Sequence, residues 1–174
     1  FASRKLNRPV KWTETRSENY QATTHGRAHI QEIELAAKKD GTILGIRASS
    51  WSAMGAYLST AAPGIPTILH GLMLSGVYNI PAIKEDVYGV YTNQTPVEAY
   101  RGAGRPEATF IVERMVDKLA SELNMDPVAV RQKNLIPKFE NGHAVATGLT
   151  YDSGDYPGTL KKDRKSTRLN SSHI

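Results

Sequence analysis

The sequence predicts an α+β domain, and three observations carry that expectation. Two runs, Ala28 to Lys38 and Gly41 to Ser52, flank the turn signal Lys39-Asp40-Gly41 and read as a β-hairpin. Ala108, Ile111, Val112, Met115, Leu119 and Leu123 recur at helical spacing through residues 106–123. Asp126-Pro127 then restarts a helix that runs to Asn134, with the aspartate as N-cap and the proline in the first turn.

Each element can be justified in chain order. Leu6 to Tyr20 is polar and basic, with Pro9-Val10-Lys11-Trp12 as a short strand and Thr13 to Asn19 as a turn or short helix. In the hairpin, Ile33, Leu35 and Ala37 fall on one face and Glu32, Glu34 and Ala36 on the other, so the charges mark a solvated sheet face. Trp51 to Gly76 is small, apolar and punctuated by Gly55, Pro63, Gly64, Pro66, Gly71 and Gly76. It predicts a loop over Ala61–Pro66, a helix around Thr67–Leu74 and a buried connection overall. Tyr78 to Ile83 is a short extended stretch interrupted by Pro81, and Asp86 to Thr92 alternates as a further strand. On the long helix Glu113, Asp117, Lys118 and Glu122 lie off the apolar stripe, and Asn124 suits a left-handed C-cap. Met115 and Met125 read as core fillers. Beyond Pro137 the chain is rich in Gly, Asp and Tyr and is expected to be irregular.

From Asp163 the character changes again. The string Arg164-Lys165-Ser166-Thr167-Arg168-Leu169-Asn170-Ser171-Ser172-His173 has no periodicity and resembles a translated sequencing-adapter read-through. Residues 163–174 are therefore expected to be a non-native disordered tail, and His173 is not read as a ligand.

Composition bounds the function classes. At 174 residues the chain suits one domain. It begins with Phe1 inside a basic segment and reads as an internal piece of a longer protein. The absence of cysteine excludes disulfides, thiolate metal sites and cysteine nucleophiles. The net charge of +5 is mild and scattered, without a continuous basic face, so nucleic acid is not expected as a partner. No apolar run reaches the length of a membrane span. His25, His29, His70 and His143 lack paired ligand spacing on a helix, and Ser50, Ser52 and Ser59 lack a nucleophile-elbow pattern. No metal ligands and no catalytic residue are assigned.

The most informative stretch is Ala99-Tyr100-Arg101-Gly102-Ala103-Gly104-Arg105, between the β-rich half and the long helix. Gly102 and Gly104 allow positive φ and a close backbone approach to a ligand. Pro106 opens the helix without losing a needed N–H, and Glu107 complements the helix dipole. Such a loop delivers backbone donors and two arginines to a helix N-terminus, which suits an anion or a polar cofactor. A Gly-x-Gly before a helix is also a common plain turn. The third glycine of a dinucleotide fingerprint is missing, as is the Gly-Lys-Ser/Thr of a P-loop.

This heptapeptide, with Pro106-Glu107-Ala108 after it, resembles the active-site loop of the molybdopterin-binding large subunit of the xanthine dehydrogenase/aldehyde oxidase family. Within that family it is most similar to the second form of the aerobic carbon monoxide dehydrogenase large subunit. Other blocks resemble the family in the same order: Arg8 to Glu18, Thr24-His25-Gly26-Arg27, Asp40-Gly41-Thr42-Ile43, Gly76 to Pro81, and Asp126-Pro127 through Arg131-Gln132-Lys133-Asn134-Leu135. The likeness runs from about Ser3 to Lys162, so residues 1–162 are assigned to a partial molybdopterin-binding domain.

The resemblance implies oxidative hydroxylation of a carbon centre at molybdenum–molybdopterin cytosine dinucleotide, with electrons leaving through [2Fe–2S] clusters to FAD. It implies an iron–sulfur small subunit and an FAD-binding medium subunit as partners, a dimer of heterotrimers, and a cytoplasmic location. It puts Arg101 and Gly102 against the cofactor. Gly102 stands where carbon-monoxide-oxidising enzymes carry a copper-binding cysteine, so a copper–molybdenum centre is not expected. Ala103 stands in the substrate pocket where purine and aldehyde oxidisers carry a phenylalanine, and no arginine lies near Leu69 to bind xanthine. The expected substrate is a small aldehyde or N-heterocycle. The family's general-base glutamate has no counterpart here, and neither Glu98 nor Glu107 takes its role. The alternatives are an isoquinoline- or nicotinate-type dehydrogenase large subunit, or a non-catalytic scaffold subdomain.

Overall fold

The structure, a computed structural model, describes the backbone of residues 1–171 and the side chains of residues 1–164. The elements are α1 (Ala2–Leu6), α2 (Arg16–Ala22), β1 (His29–Ala37), β2 (Ile43–Gly55), β3 (Ile83–Tyr91), α3 (Arg105–Glu122), α4 (Pro127–Asn134), β4 (His143–Ala144), β5 (Thr150–Tyr151) and α5 (Tyr156–Ser171). A π-helical turn over Ile65–His70 and a 3₁₀ turn over Gly71–Met73 lie between β2 and β3. The expected α+β class is what forms.

The predicted hairpin is β1 and β2, antiparallel from His29↔Ser52 to Leu35↔Ile46 with a register shift at Ala36/Ala37. Its turn is held by two polar devices. Gly41 takes φ +86°, and Asp40 Oδ1 accepts from the Thr42 N–H at 3.1 Å. Lys133 Nζ lies 3.0 Å from the other Asp40 oxygen. Thr42 first and Lys133 next pull the Asp40 carboxyl down to about 2. The segment expected as two extended pieces yields the single strand β3, parallel to β2 from Ile46↔Ile83 onward. Tyr78 instead makes an isolated bridge to Leu135.

The inner face of the sheet packs on α3. Ile43, Ile46 and Ala48 of β2 meet Ala108, Ile111, Val112, Val116 and Ala120, with Leu74, Tyr78, Ile80 and Val130 closing the core. The helix is thus turned slightly from the predicted stripe: Val116 and Ala120 sit at its centre, and Met115, Leu119 and Leu123 are half-buried at its edge. Met125 packs against this core as expected. Arg131 of α4 straps the helices together, reaching Glu113 at 2.7 Å and Asp117 at 2.8 Å. Tyr78 Oη donates to Glu113 at 2.7 Å, and burial first, then that carboxylate, raises the phenol above its usual range. The outer face carries the expected Glu32 and Glu34, together with the register row Ile30, Trp51 and Tyr88, whose two aromatic rings stack at 5.5 Å.

Three local expectations are corrected. Pro9 to Trp12 is not a strand, because the exposed segment has no strand beside it; the adjoining helix is α2, closed by a Thr15/Glu18 capping box. The chain after Pro137 is not irregular: β4 and β5 pair, and Phe139 bridges Gly154. The third concerns the tail. The Asp155 side chain accepts from the Gly158 N–H at 2.9 Å, and α5 then runs to Ser171. The backbone over residues 163–171 is therefore helical rather than disordered. Leu160, Lys161, Lys162, Arg164 and Lys165 are good helix formers, and no Gly or Pro follows Gly158 before Ser171, so nothing breaks the capped start. His173 lies outside the described residues. Among the described residues no helix is long and apolar enough to cross a membrane.

Candidate functional site

The loop Ala99–Arg105 is built from three consecutive residues with positive φ: Gly102 at +95°, Ala103 at +43° and Gly104 at +94°. Two were expected from their identity. Ala103 was not, and its left-handed backbone is held by a turn in which its N–H donates to Tyr100 O at 2.7 Å. Gly104 is the N-cap of α3, and a Cβ there would stand 2.5 Å from Ile65 O and 3.0 Å from His70 N. The helical turn before β3 therefore abuts the loop directly, leaving no space for a side chain. Gly102 faces outward, with Arg101 and Arg105 also exposed and Ala103 half-buried.

A second segment, Thr24 to Arg27, runs alongside and holds the loop. The His25 N–H donates to Pro96 O at 3.1 Å and the Glu98 N–H to His25 O at 2.7 Å. Arg27, itself at φ +64°, makes three contacts with the loop region. Its Nη2 donates to Arg101 O at 2.6 Å, its Nη1 donates to Glu107 Oε2 at 3.1 Å, and its guanidinium lies 5.0 Å from the Tyr100 ring centroid. Glu107 is almost fully buried, at 9% exposure, so this ion pair also satisfies an otherwise costly carboxylate. Glu98 is tied differently: its carboxylate accepts from the Ala99 N–H at 2.9 Å and the Ala61 N–H at 3.1 Å. Hydrogen bonds from Ser59 first, then Ala99, lower its pKa.

Beneath the loop, the inner face of the sheet turns polar. His29, Gln31, Ser50 and Glu85 gather around His70, which is fully buried. Gln31 Nε2 donates to Ser50 Oγ at 3.0 Å and lies 2.8 Å from His70 Nε2, while His70 Nδ1 lies 2.8 Å from Glu85 Oε1. The His29 and His70 rings meet edge to face at 5.6 Å. Burial first, and His70 next, lower the His29 pKa. His25 does not join them, because its Nε2 faces Tyr20 O at 3.0 Å. Sequence reasoning had no signal for this cluster, whose members come from β1, β2, β3 and the turn before β3.

The chemical character of the loop follows from its peptides. Tyr100 O and Arg101 O are both engaged, whereas the Arg101 and Gly102 N–H groups donate to no acceptor among the described residues. Two adjacent exposed donors on a preformed loop, with no side chain at Gly102, fit the polar edge of a bound cofactor. The three sequence-predicted site residues Arg101, Gly102 and Ala103 therefore lie together on one rigid turn. Arg27 and Glu107 are its supports, and no local pattern in the sequence marks either as one.

Comparison with known proteins gives the family. The family model for the molybdopterin cofactor-binding domain matches residues 1–135. The carbon monoxide dehydrogenase large chain of Hydrogenophaga pseudoflava is 45% identical over 164 residues, covering 92% of this chain and 20% of that protein. The 6-hydroxypseudooxynicotine dehydrogenase complex subunit gamma of Paenarthrobacter nicotinovorans is 38% identical over 160 residues, covering 89% and 20%. Among solved structures, the reconstituted CO dehydrogenase of Oligotropha carboxidovorans superposes with a TM-score of 0.87 at 35% identity, covering 99% of this chain and 22% of that one. The chain thus spans about a fifth of the length of the relatives it matches. The match covers α1 through α4 with the whole loop between them, and on that evidence the chain belongs to the molybdopterin cofactor-binding domain family.

Proposed function

We propose that this chain is the loop-bearing part of a molybdenum hydroxylase large subunit that oxidatively hydroxylates a small organic substrate, an aldehyde or an N-heterocycle. The observation that carries the reading is the pair of N–H groups at Arg101 and Gly102, without a partner among the described residues, on a turn whose two carbonyls are held from behind. Molybdenum held by molybdopterin cytosine dinucleotide would supply the redox chemistry when bound. The chain's own residues bind and orient. Arg101 and Gly102 present fixed donors to the cofactor edge, where charge changes during turnover. Ala103 borders the substrate space with a methyl group only, which leaves room for the substrate without clamping an aromatic ring. Glu98 and Glu107 are committed to N–H groups and to Arg27, so neither is free to move a proton.

The absence of a side chain at Gly102 argues against a copper thiolate and for an organic carbon substrate, despite the carbon monoxide dehydrogenase likeness. The likeness to 6-hydroxypseudooxynicotine dehydrogenase favours the second reading, a dehydrogenase of the nicotinate or isoquinoline type acting on an N-heterocycle. In either reading the parent protein works in the cytoplasm with an iron–sulfur small subunit and an FAD-binding medium subunit, as a dimer of heterotrimers. The family-like domain is taken as residues 1–162, with 163–174 outside it.

The test uses the full-length subunit co-expressed with its two partner subunits. Metal content is measured by mass spectrometry, and dye reduction is screened with CO, aldehydes and N-heterocycles. Molybdenum without copper, and turnover of an organic substrate but not CO, is the expected result. Copper with CO oxidation would overturn the substrate assignment, and matured protein without molybdenum would overturn the enzymatic reading.

A further inference from the structure

We propose that Arg27 is a positioning residue for the reaction, and that it works by fixing the direction of the Gly102 N–H. In a trans peptide the C=O and the following N–H point in opposite directions, so whatever holds one carbonyl aims the next amide. Arg27 Nη2 holds Arg101 O at 2.6 Å, from the side of the loop that faces the buried Glu107. The Gly102 N–H is thereby aimed to the opposite, exposed side. The neighbouring peptide is fixed by the chain itself, since Tyr100 O accepts from the Ala103 N–H at 2.7 Å and the Arg101 N–H points away from that bond. One donor of the pair is thus set locally, and the other is set by a residue 74 positions earlier in the chain.

Arg27 has the features of a built clamp rather than a surface ion pair. A plain exposed pair would hold a carboxylate and contribute little. Here one arm of the fork takes the Glu107 carboxylate, the other takes a backbone carbonyl, and the guanidinium covers the Tyr100 ring. Glu107 lies in the first turn of α3, so the clamp joins the loop to the helix it introduces. The backbone of Arg27 is itself held at φ +64°, a conformation that a non-glycine residue keeps only when its surroundings impose it. The preceding Gly26 lets the two segments close, because a Cβ there would stand 2.9 Å from Tyr100 Cβ.

This inference rests on the reading of the loop as a cofactor-facing donor pair, and the experiment separates the two. The holoenzyme, with partner subunits, is made as wild type, Arg27→Lys and Arg27→Met. A lysine has a single ammonium, which pairs with Glu107 and releases Arg101 O. Arg27→Lys is therefore expected to keep its thermal midpoint and molybdenum content. Its kcat should fall by about tenfold or more at nearly unchanged KM, since outright loss of one such donor costs about a hundred- to a thousandfold. Two readouts are independent of turnover. The molybdenum(V) electron paramagnetic resonance signal should change its hyperfine pattern, and hydrogen exchange at Gly102 should accelerate while exchange at Arg101 does not. Arg27→Met should do the same with a lower thermal midpoint; if it fails to mature, Arg27→Lys alone decides. Wild-type kcat, spectrum and Gly102 exchange in Arg27→Lys would overturn the proposal. A wild-type enzyme without molybdenum would overturn the functional reading on which it stands.

Discussion

Asn134 offers the sharpest test of how this fold is held. Its side chain is 4% exposed at the end of α4 and makes three bonds of 2.8 Å: it accepts from the Ile43 N–H and donates to Gly41 O and Val130 O. Val130 O also serves the helix, so it keeps a partner without the side chain. Ile43 and Gly41 do not, and both are buried at the hairpin turn. Asn134→Ala would orphan one buried N–H and one buried C=O, at about 1–3 kcal/mol each. Lys39 and Asp40 beside the turn are exposed, so water can partly replace the lost partners and the expected loss lies in the lower half of the summed range, at about 3 kcal/mol. At about 1.4 kcal/mol per factor of ten, the Ile43 amide should exchange with solvent about a hundredfold faster. The assay is native-state hydrogen exchange on the full-length subunit, read on the peptide spanning residues 38–46. Asn134→Asp supplies the control. It keeps the acceptor for Ile43 but turns a carboxylate oxygen toward two carbonyls, so it should be worse than wild type at neutral pH. It should recover as pH falls, when its proton restores a donor. Unchanged Ile43 exchange in Asn134→Ala, or neutral-pH behaviour of Asn134→Asp equal to wild type, would refute the reasoning.

Three further outcomes follow from the same geometry. Gly104→Ala must place a methyl 2.5 Å from Ile65 O at φ +94°, so a destabilisation of about 3 kcal/mol is expected, seen as a lower thermal midpoint and reduced molybdenum loading. Gly102→Cys will not create a copper site: at φ +95° its Cβ would lie 2.6 Å from Pro106 Cγ, so the thiolate cannot be seated without moving the loop, and stoichiometric copper by mass spectrometry would contradict this. His29, whose pKa is lowered by burial and then by His70, makes stability pH-dependent below its unfolded value of 6.5. The unfolded chain binds the proton first, so this contribution is complete above that pH and is lost as pH falls toward the folded value. His29→Gln should flatten the slope of the urea midpoint between about pH 5 and 7.

Local chemistry made part of this fold legible. Lys39-Asp40-Gly41 supplied both the side-chain cap and the positive φ that a tight hairpin turn requires, and Asp126-Pro127 supplied a capped helix start whose bounds the structure reproduces. Gly102 and Gly104 likewise announced a left-handed turn before α3. What stayed hidden was set by long-range contact. The parallel pairing of β3 with β2 depends on how the Pro- and Gly-rich crossover between them folds back, which no period reveals. Pro9 to Trp12 has strand composition but no neighbour to pair with.

The site divides along the same line, and the division has a physical cause. The turn over Arg101, Gly102 and Ala103 was readable because Gly102 and Gly104 mark a left-handed turn in a fixed local order. Their supports were not, because a support is defined by what it reaches. Arg27 reads as one more cation among 22 until its fork is seen to span Arg101 O and Glu107, 74 and 80 residues away. His70 reads as an isolated histidine until Gln31 and Glu85 arrive from two different strands and Gly104 closes against its backbone. A glycine loop free of such supports would be a flexible turn, and its amides would pay an ordering cost each time a cofactor bound. Here the ordering is done in advance by Arg27 and Glu107, which hold the loop from behind. On the proposed reading, the same physics keeps the metal chemistry of the carbon monoxide dehydrogenase relatives from carrying over residue for residue. The supports fix Gly102 in a conformation that disfavours any side chain, so the loop is specialised in its backbone as well as in its sequence.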